Sequence, residues 1–318
     1  MRPPRQTIQL RGIRSAFVGG EILRLEGLPI RQLPTIRGAP PRQIDPNGAY
    51  AVGQLYLQSF QLSRPDGPFP VQLWHGGGLS GACWETTPDG RPGWLNFFLR
   101  RGFDVTVVDA PERGRASWAP YPEINAEAPW HRTLEMAWWM FRFGPPGGYH
   151  PDPALRQAFA GLQFPVEAAE IFLKQFVARW GSRQSDAWAI CAYDALLAQS
   201  APAIVIAHSQ GGLYALDLAV RRPDAFKALV LLEPVLPPEA DYPFQGLAGT
   251  PILLVNGDNF QRETAFKRFA DALRQAGGQV DLLDLPGEGV FGNSHMLMMD
   301  RNSDEVAGRV ALWLSGQL

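Results

Sequence analysis

The chain has 318 residues, of which 46% are hydrophobic and 19% are charged, and its formal net charge is −2. This composition is typical of a globular protein, and without a surplus of positive charge nucleic-acid binding is not expected. Two cysteines, Cys83 and Cys191, exclude a disulfide scaffold and a four-cysteine zinc site, although their redox state stays open.

Neither a membrane span nor a signal peptide is expected from the sequence. No apolar run reaches the length that crosses a bilayer, and the basic N-terminus is followed by no apolar stretch of signal-peptide length. Localisation therefore stays open between the cytoplasm and export with the signal already removed.

The first 62 residues carry two strand patterns. Short apolar segments at 15–18 and 21–25 flank Gly19 and Gly20, which predicts a β-hairpin with a two-residue turn. Residues 49–62 then alternate between apolar and polar side chains, which predicts an outer strand with one face in water.

Beyond residue 69 the pattern changes to short apolar runs that end in turn residues, with helical patterns between several of them. The runs lie at 71–74, 105–108, 204–207, 229–232, 252–255 and 280–285, and the helical patterns at 94–101, 212–221, 262–276 and 304–314. Such runs are typical of strands buried on both faces. The alternation predicts an α/β fold with a mainly parallel central sheet flanked by helices.

One long interval, from about residue 112 to residue 200, shows no buried strand. It holds six of the ten tryptophans and a loop-forming stretch at 144–153. Because the interval is too long for one ordinary crossover, we expect a helical cap insertion within a single domain that spans residues 1–318.

The strand at 203–207 runs directly into His208-Ser209-Gln210-Gly211, and a helical pattern begins at once. This strand–turn–helix context is typical of a nucleophile elbow, in which small residues two before and two after the serine permit a tight turn. Ala207 and Gly211 meet that requirement. The pattern predicts that Ser209 is a nucleophile rather than a simple helix cap.

A glycine-rich loop, Trp74-His75-Gly76-Gly77-Gly78, follows an earlier strand. Loops of this HGGG type supply backbone N–H groups to the oxyanion that forms during acyl transfer. The expected donors are the N–H groups of Gly77 and of Gln210.

The general base should be a histidine that follows the nucleophile along the chain. The five histidines are His75, His131, His150, His208 and His295. Only His295 lies between the last strand and the last helix, in the chain order that such triads follow. His75 and His208 belong to the two motifs, where we expect them to brace loops.

Two carboxylates are candidates to orient the base. Glu233 directly follows the strand after the elbow, and Asp258 follows the next strand, which is the commoner position. Either could hold the imidazole in its active tautomer, and spacing alone leaves the two equal. Metal and nucleotide motifs are absent, so neither a metal nor a cofactor is expected.

Together these residues resemble the α/β-hydrolase superfamily, and over residues 50–318 they are similar to bacterial carboxylesterases of the esterase 713 type. The resemblance rests on the runs at 84–90, 141–144, 208–210, 230–234 and 292–302. It implies that the acid is the glutamate of a Glu-Pro pair, which is Glu233 here. The chain departs from the group at Gly77 and Gly78, where members can carry a cysteine pair.

The resemblance and the motifs predict a serine carboxylic ester hydrolase that uses a Ser-His-Glu triad and an acyl-enzyme intermediate on small or aromatic esters. Lactone, amide or carbon–carbon bond hydrolysis and acyl transfer are alternatives on the same scaffold, and a non-catalytic ligand-binding protein is another. The expected partner is a small-molecule ester, and the sequence leaves a homodimer possible.

Overall fold

The computed structural model describes residues 7–200, 202–239, 242–259 and 261–318. The strands are β1 Leu10–Leu25, β2 Arg31–Leu33, β3 Arg42–Ile44, β4 Gly48–Leu62, β5 Val71–Trp74, β6 Val105–Asp109, β7 Ala203–His208, β8 Phe226–Leu232, β9 Ile252–Asn256 and β10 Val280–Asp284. The α-helices are α1 Trp94–Arg100, α2 Leu134–Met140, α3 Ala169–Leu173, α4 Arg183–Ser200, α5 Gln210–Arg221, α6 Glu263–Gln275 and α7 Ser303–Ser315.

Eight strands form one sheet in the order β1-β4-β6-β5-β7-β8-β9-β10, and β2 pairs with β3 separately. The two outer pairings, β1 with β4 and β4 with β6, are antiparallel, whereas the strands from β6 to β10 run parallel. The mainly parallel sheet predicted from the six apolar runs is confirmed, and each run forms a strand.

Helices cover both faces of this sheet, as predicted. Alternate side chains of each strand point to opposite faces, so Ile204 and Ile206 of β7 join the core beneath α1 and α7. Val205 and Ala207 join the second core, beneath α4, α5 and α6. Burial on both faces explains why the parallel strands are continuous apolar runs in the sequence.

The predicted N-terminal hairpin is wrong, because β1 is one continuous strand of 16 residues. Gly19 and Gly20 have positive φ angles of 69° and 81°, yet pairing with β4 continues on both sides of them. A Cβ on Gly19 would lie 2.7 Å from the Cα of Ala192 in α4. The glycines therefore do not reverse the chain, and Gly19 gives α4 the room to pack closely against the strand. The predicted strand at 49–62 is β4, which is second from the edge, since β1 covers it.

The segment between β6 and β7, which we call the β6–β7 connection (residues 110–202), contains α2, α3 and α4 with loops between them. Helix α4 crosses back to the sheet, where Ala189, Ala192 and Tyr193 are buried in the core with side chains of β1 and β4. The part before α4 reaches the carboxyl ends of the strands, where the candidate active site lies. Within the described residues, no helix combines the length and the apolar character needed to cross a bilayer.

Candidate active site

Ser209 occupies a strained turn between β7 and α5, with φ 51° and ψ −116°. Such a positive φ is costly for a residue with a side chain and persists only when the surroundings impose it. The Ser209 carbonyl accepts the N–H of Val235 at 2.9 Å. A Cβ on Gly211 would lie 2.6 Å from the His75 carbonyl oxygen, so the turn needs glycine there. These contacts form the elbow that the sequence predicts.

His295 lines the same cavity as Ser209, a space of about 650 Å³. Its Nδ1 lies 2.7 Å from the Glu233 Oε2 atom. Because a carboxylate only accepts hydrogen bonds, Nδ1 carries the proton, and Nε2 keeps a free lone pair. The ring stacks on Phe141, with centroids 5.8 Å apart, and the backbone N–H of His295 donates to the Phe141 carbonyl at 2.9 Å.

Glu233 is completely buried at the end of β8 and has a positive φ of 40°. Arg142 binds both of its oxygens, with Nη1 2.7 Å from Oε2 and Nη2 hydrogen-bonded to Oε1. The Gly257 N–H also donates to Oε1, at 3.1 Å. Burial by itself would raise the pKa of Glu233, but Arg142 and His295 outweigh burial and lower the pKa to about 2. The carboxylate is therefore ionised throughout the neutral range.

Asp258, the alternative acid, contacts the loop that carries the histidine and not the imidazole. Its Oδ2 accepts the backbone N–H of Asn293. The Gly292 carbonyl in turn accepts the N–H of Gln163 at 2.7 Å. Of the two candidate acids, Glu233 is the one whose carboxylate lies against His295.

A second buried carboxylate, Asp300, holds the same loop from inside. Asp300 Oδ1 accepts the Ser294 hydroxyl at 2.6 Å, and its Oδ2 accepts the Ser294 N–H at 2.9 Å and the Asn293 side-chain amide at 3.1 Å. The residue just before His295 is therefore fixed through both its backbone and its side chain.

The burial of His295 lowers its pKa below the ordinary 6.5, and this effect exceeds the opposing pull of Glu233. The positive charges of Arg142 and Arg262 lower the pKa further. The imidazole is therefore neutral at neutral pH, which is the state that a general base requires.

The glycine-rich loop after β5, which is the predicted oxyanion loop, is braced by His75. The Ala110 N–H donates to its Nε2 at 3.0 Å, so Nδ1 carries the proton and donates to the Gly76 carbonyl at 2.8 Å. Burial lowers the pKa of His75 to about 4, which keeps the ring neutral in this role. In the described part of the chain, the N–H groups of Gly77 and Gln210 donate to no acceptor and are free for a ligand.

Groups of the β6–β7 connection contact the residues that carry the two predicted N–H donors, Gly77 and Gln210. Arg179 Nη1 donates to the Gln210 Oε1 atom at 3.2 Å. Arg132 Nη1 donates to the Gly77 carbonyl at 2.8 Å, and the Val177 N–H donates to the Gly78 carbonyl at 3.1 Å. The β6–β7 connection therefore holds the glycine-rich loop as well as His295.

The remaining histidines have other positions. His208 Nε2 donates to the His295 carbonyl at 2.8 Å, and burial lowers the pKa of His208 well below 6.5, so it is a neutral brace. His131 and His150 do not line the cavity. Both cysteines are free thiols, with Cys83 buried and Cys191 exposed. No group of three potential metal-ligating side chains occurs among the residues that the structure describes.

Sequence reasoning missed Arg142 and Asp300 as parts of this site. Their pairing depends on tertiary contacts, since Arg142 lies 91 positions before Glu233. The only signal was indirect: both residues fall within the runs at 141–144 and 292–302 that resemble bacterial carboxylesterases.

A serine elbow at the carboxyl end of a mainly parallel sheet, with a loop histidine on a buried acid, defines an α/β hydrolase. Over 100% of its length the chain matches 99% of a bacterial esterase of known structure, with 32% identity and a TM-score of 0.83. A probable secreted lipase, phiG, from a fungal species (strain ATCC 74256) is 27% identical over 335 residues, which cover 85% of this chain and 88% of the lipase. No family model matches the chain.

The chain belongs to the bacterial carboxylesterases of the α/β-hydrolase superfamily. It is a carboxylic ester hydrolase.

Proposed function

We propose that the protein cleaves carboxylic esters through a triad of Ser209, His295 and Glu233. One observation carries the proposal: the imidazole of His295 is held 2.7 Å from a buried, ionised Glu233 in the cavity that Ser209 lines. With its Nδ1–H committed to Glu233, the imidazole keeps the Nε2 lone pair free, as a general base must.

In the acylation step, the Ser209 Oγ attacks the ester carbonyl carbon while His295 Nε2 accepts the hydroxyl proton. The carbonyl oxygen becomes an oxyanion, which the N–H groups of Gly77 and Gln210 stabilise. Glu233 stabilises the imidazolium that forms and remains ionised itself. The intermediate then expels the alcohol, which His295 protonates, and an acyl-enzyme remains.

In the deacylation step, His295 removes a proton from water, and the resulting hydroxide attacks the acyl carbon. The oxyanion forms again at Gly77 and Gln210 before Ser209 leaves and recovers its proton from His295. The atoms of one water are thereby added across the ester bond. No step calls for a metal or an organic cofactor.

We also propose that residues 112–200 are a cap insertion within one α/β-hydrolase domain that spans residues 1–318, and that this cap selects small or aromatic esters. Trp139, Met140 and Phe141 of the connection line the cavity together with Leu79 from the sheet side. A cavity of about 650 Å³ with such apolar walls is in the range that accommodates a small organic molecule.

A fluorophosphonate probe tests the nucleophile. The intact protein should gain the mass of one phosphonyl group, and peptide mapping should place it on Ser209. Ser209→Ala should lose the adduct and about 10⁶-fold in kcat toward 4-nitrophenyl acetate, with an unchanged circular dichroism spectrum. Ser315→Ala, at the exposed end of α7, is the matched control and should retain both labelling and activity.

A ligand-binding protein without catalysis would take up no probe. Near-full activity of Ser209→Ala, or labelling of another serine, would overturn the assignment of the nucleophile. A panel that adds a lactone and an anilide separates ester hydrolysis from the other reactions of this fold.

A further inference from the structure

Arg132 lies in the catalytic cavity with its charge uncompensated by any acidic side chain in the described part of the protein. Its Nη1 donates to the Gly77 carbonyl at 2.8 Å, and its Nε is buried without a hydrogen-bond partner. A guanidinium carries five N–H donors in a rigid fork. A half-buried cation that uses so little of this capacity is poised to bind an additional acceptor.

The surroundings of Arg132 keep the charge in place without neutralising it. Its guanidinium carbon lies 5.1 Å from the ring centroid of Trp130 and 5.4 Å from that of Phe141. These ring faces attract a cation weakly. Burial and the neighbouring guanidiniums of Arg179 and Arg113 lower the pKa of Arg132 to about 10, so the side chain remains protonated at neutral pH.

The other charged groups in the cavity wall do not supply a partner. Among the described residues that line the cavity, Arg142 and Arg262 are further cations and Asp258 is the carboxylate. Arg142 is paired with Glu233, and Asp258 accepts a backbone N–H from the histidine loop. The described part of the wall therefore has an excess of positive charge in the cavity that Ser209 lines, which favours a negatively charged ligand.

We propose that the physiological substrate class is esters whose acyl chain ends in a carboxylate, and that Arg132 binds this carboxylate. The inference rests on the proposed function, because it places the acyl carbonyl at Ser209. The alcohol part must face His295, which protonates it on departure. Arg132 is instead hydrogen-bonded to the predicted oxyanion loop at Gly77. The acyl chain is therefore the part of the substrate that can reach the Arg132 guanidinium.

A purely structural role for Arg132 makes a different prediction. If Arg132 only braces the oxyanion loop through the Gly77 carbonyl, its loss should slow all esters alike. If it binds a carboxylate, its loss should slow acidic esters selectively. A pair of substrates that differ only in the terminal charge therefore separates the two roles.

The substrates are the 4-nitrophenyl monoester of adipic acid and the same ester with a carboxamide in place of the free carboxylate. Chain length and leaving group are identical. The wild-type protein should have a higher kcat/KM for the acid than for the amide. Arg132→Gln should reduce the acid-to-amide ratio about 10- to 100-fold, the range expected for a charge-assisted hydrogen bond. Arg132→Lys, which keeps the charge but not the fork, should give an intermediate ratio.

Arg268→Gln is the matched control, because it removes the same charge from an exposed position on α6. It should leave the ratio unchanged. A second measurement needs no variant. Adipate should inhibit the wild-type protein competitively, and its uncharged diamide should inhibit much more weakly. This arm keeps the proposal testable if the Arg132 variants fail to fold.

Equal rates for the two esters with the wild-type protein would overturn the inference, as would a parallel loss of both rates in Arg132→Gln. The diamide inhibiting as strongly as adipate would also overturn it. Failure of the proposed function has a separate signature: neither ester would be cleaved, and Ser209 would take up no fluorophosphonate.

Discussion

Replacing Glu233 with glutamine removes one negative charge and places an NH₂ group in a site where every neighbour donates. Arg142 donates to both oxygens, the Gly257 N–H donates to Oε1, and His295 Nδ1 donates to Oε2. Whichever way the amide turns, its NH₂ faces at least one donor. If the NH₂ faces His295, the imidazole must carry its proton on Nε2 and can no longer accept one from Ser209.

The expected loss in kcat is about 10⁴-fold, as for a triad whose histidine is held in the wrong tautomer. A factor of ten in rate corresponds to about 1.36 kcal/mol, so the transition state loses about 5.4 kcal/mol of stabilisation. Stability should fall as well, because the substitution leaves the Arg142 guanidinium without its counter-charge. Since that side chain is 20% exposed, we expect the lower end of the range, about 3 kcal/mol.

The assay is steady-state hydrolysis of 4-nitrophenyl acetate at pH 8, with a thermal melt of each variant. Asp258→Asn is the matched control: it makes the same chemical change in a carboxylate of the same cavity that contacts a backbone N–H instead of the imidazole. Its kcat should stay within about tenfold of the wild type. The reasoning is refuted if Asp258→Asn is the inactive variant, or if Glu233→Gln keeps a tenth of the activity.

Two further perturbations address the base and the walls of the cavity. Activity should fall as the pH decreases through the pKa of His295, which lies below 6.5. Arg142→Met removes a cation that disfavours the imidazolium, so the midpoint of the kcat/KM profile should move to higher pH. A midpoint that stays in place or moves to lower pH contradicts this prediction. Trp139→Ala should change the kcat/KM ratio between a small and a bulky ester with little change in Tm, because this exposed side chain lines the cavity. Trp138→Ala should instead cost about 3–5 kcal/mol of stability and leave the ratio unchanged, because that ring is buried; a reversal of these effects would show that the roles are exchanged.

The parallel sheet could be predicted because its strands carry a purely local signal. Runs such as Val71–Trp74 are buried on both faces, so hydrophobicity alone marks them and the turn residues mark their ends. The same holds for the elbow, where strand, turn and helix follow each other within a dozen residues around Ser209. Local pattern and final environment agree at these positions.

The failed hairpin shows the opposite case. Two adjacent glycines between apolar segments have the chemistry of a tight turn. Here the decisive fact is the approach of α4, whose Ala192 leaves no room for a Cβ on Gly19. That helix lies more than 150 residues further along the chain, so the residues around Gly19 alone could not predict this contact. The role of Arg142 was hidden for the same reason.

The acid is an intermediate case. Spacing placed Glu233 and Asp258 at the ends of neighbouring strands and could not choose between them. The choice came from resemblance, and the structure gives a physical correlate, since only the Glu233 carboxylate lies against the imidazole. Neighbouring strands lie closer together than a carboxylate side chain can reach. The order of the strands alone therefore does not decide which of the two carboxylates contacts the imidazole.

The hydrogen bonds between the β6–β7 connection and the segment that carries His295 bear on how this enzyme can be redesigned. His295 and Arg301 donate backbone N–H groups to the carbonyls of Phe141 and Gln163, and Arg142 holds the buried acid. A connection grafted from another hydrolase would remove these supports. Exchanging the whole β6–β7 connection is therefore expected to disturb the site. New substrate ranges are better sought by single changes at exposed wall positions such as Trp139, which takes no part in this bonding.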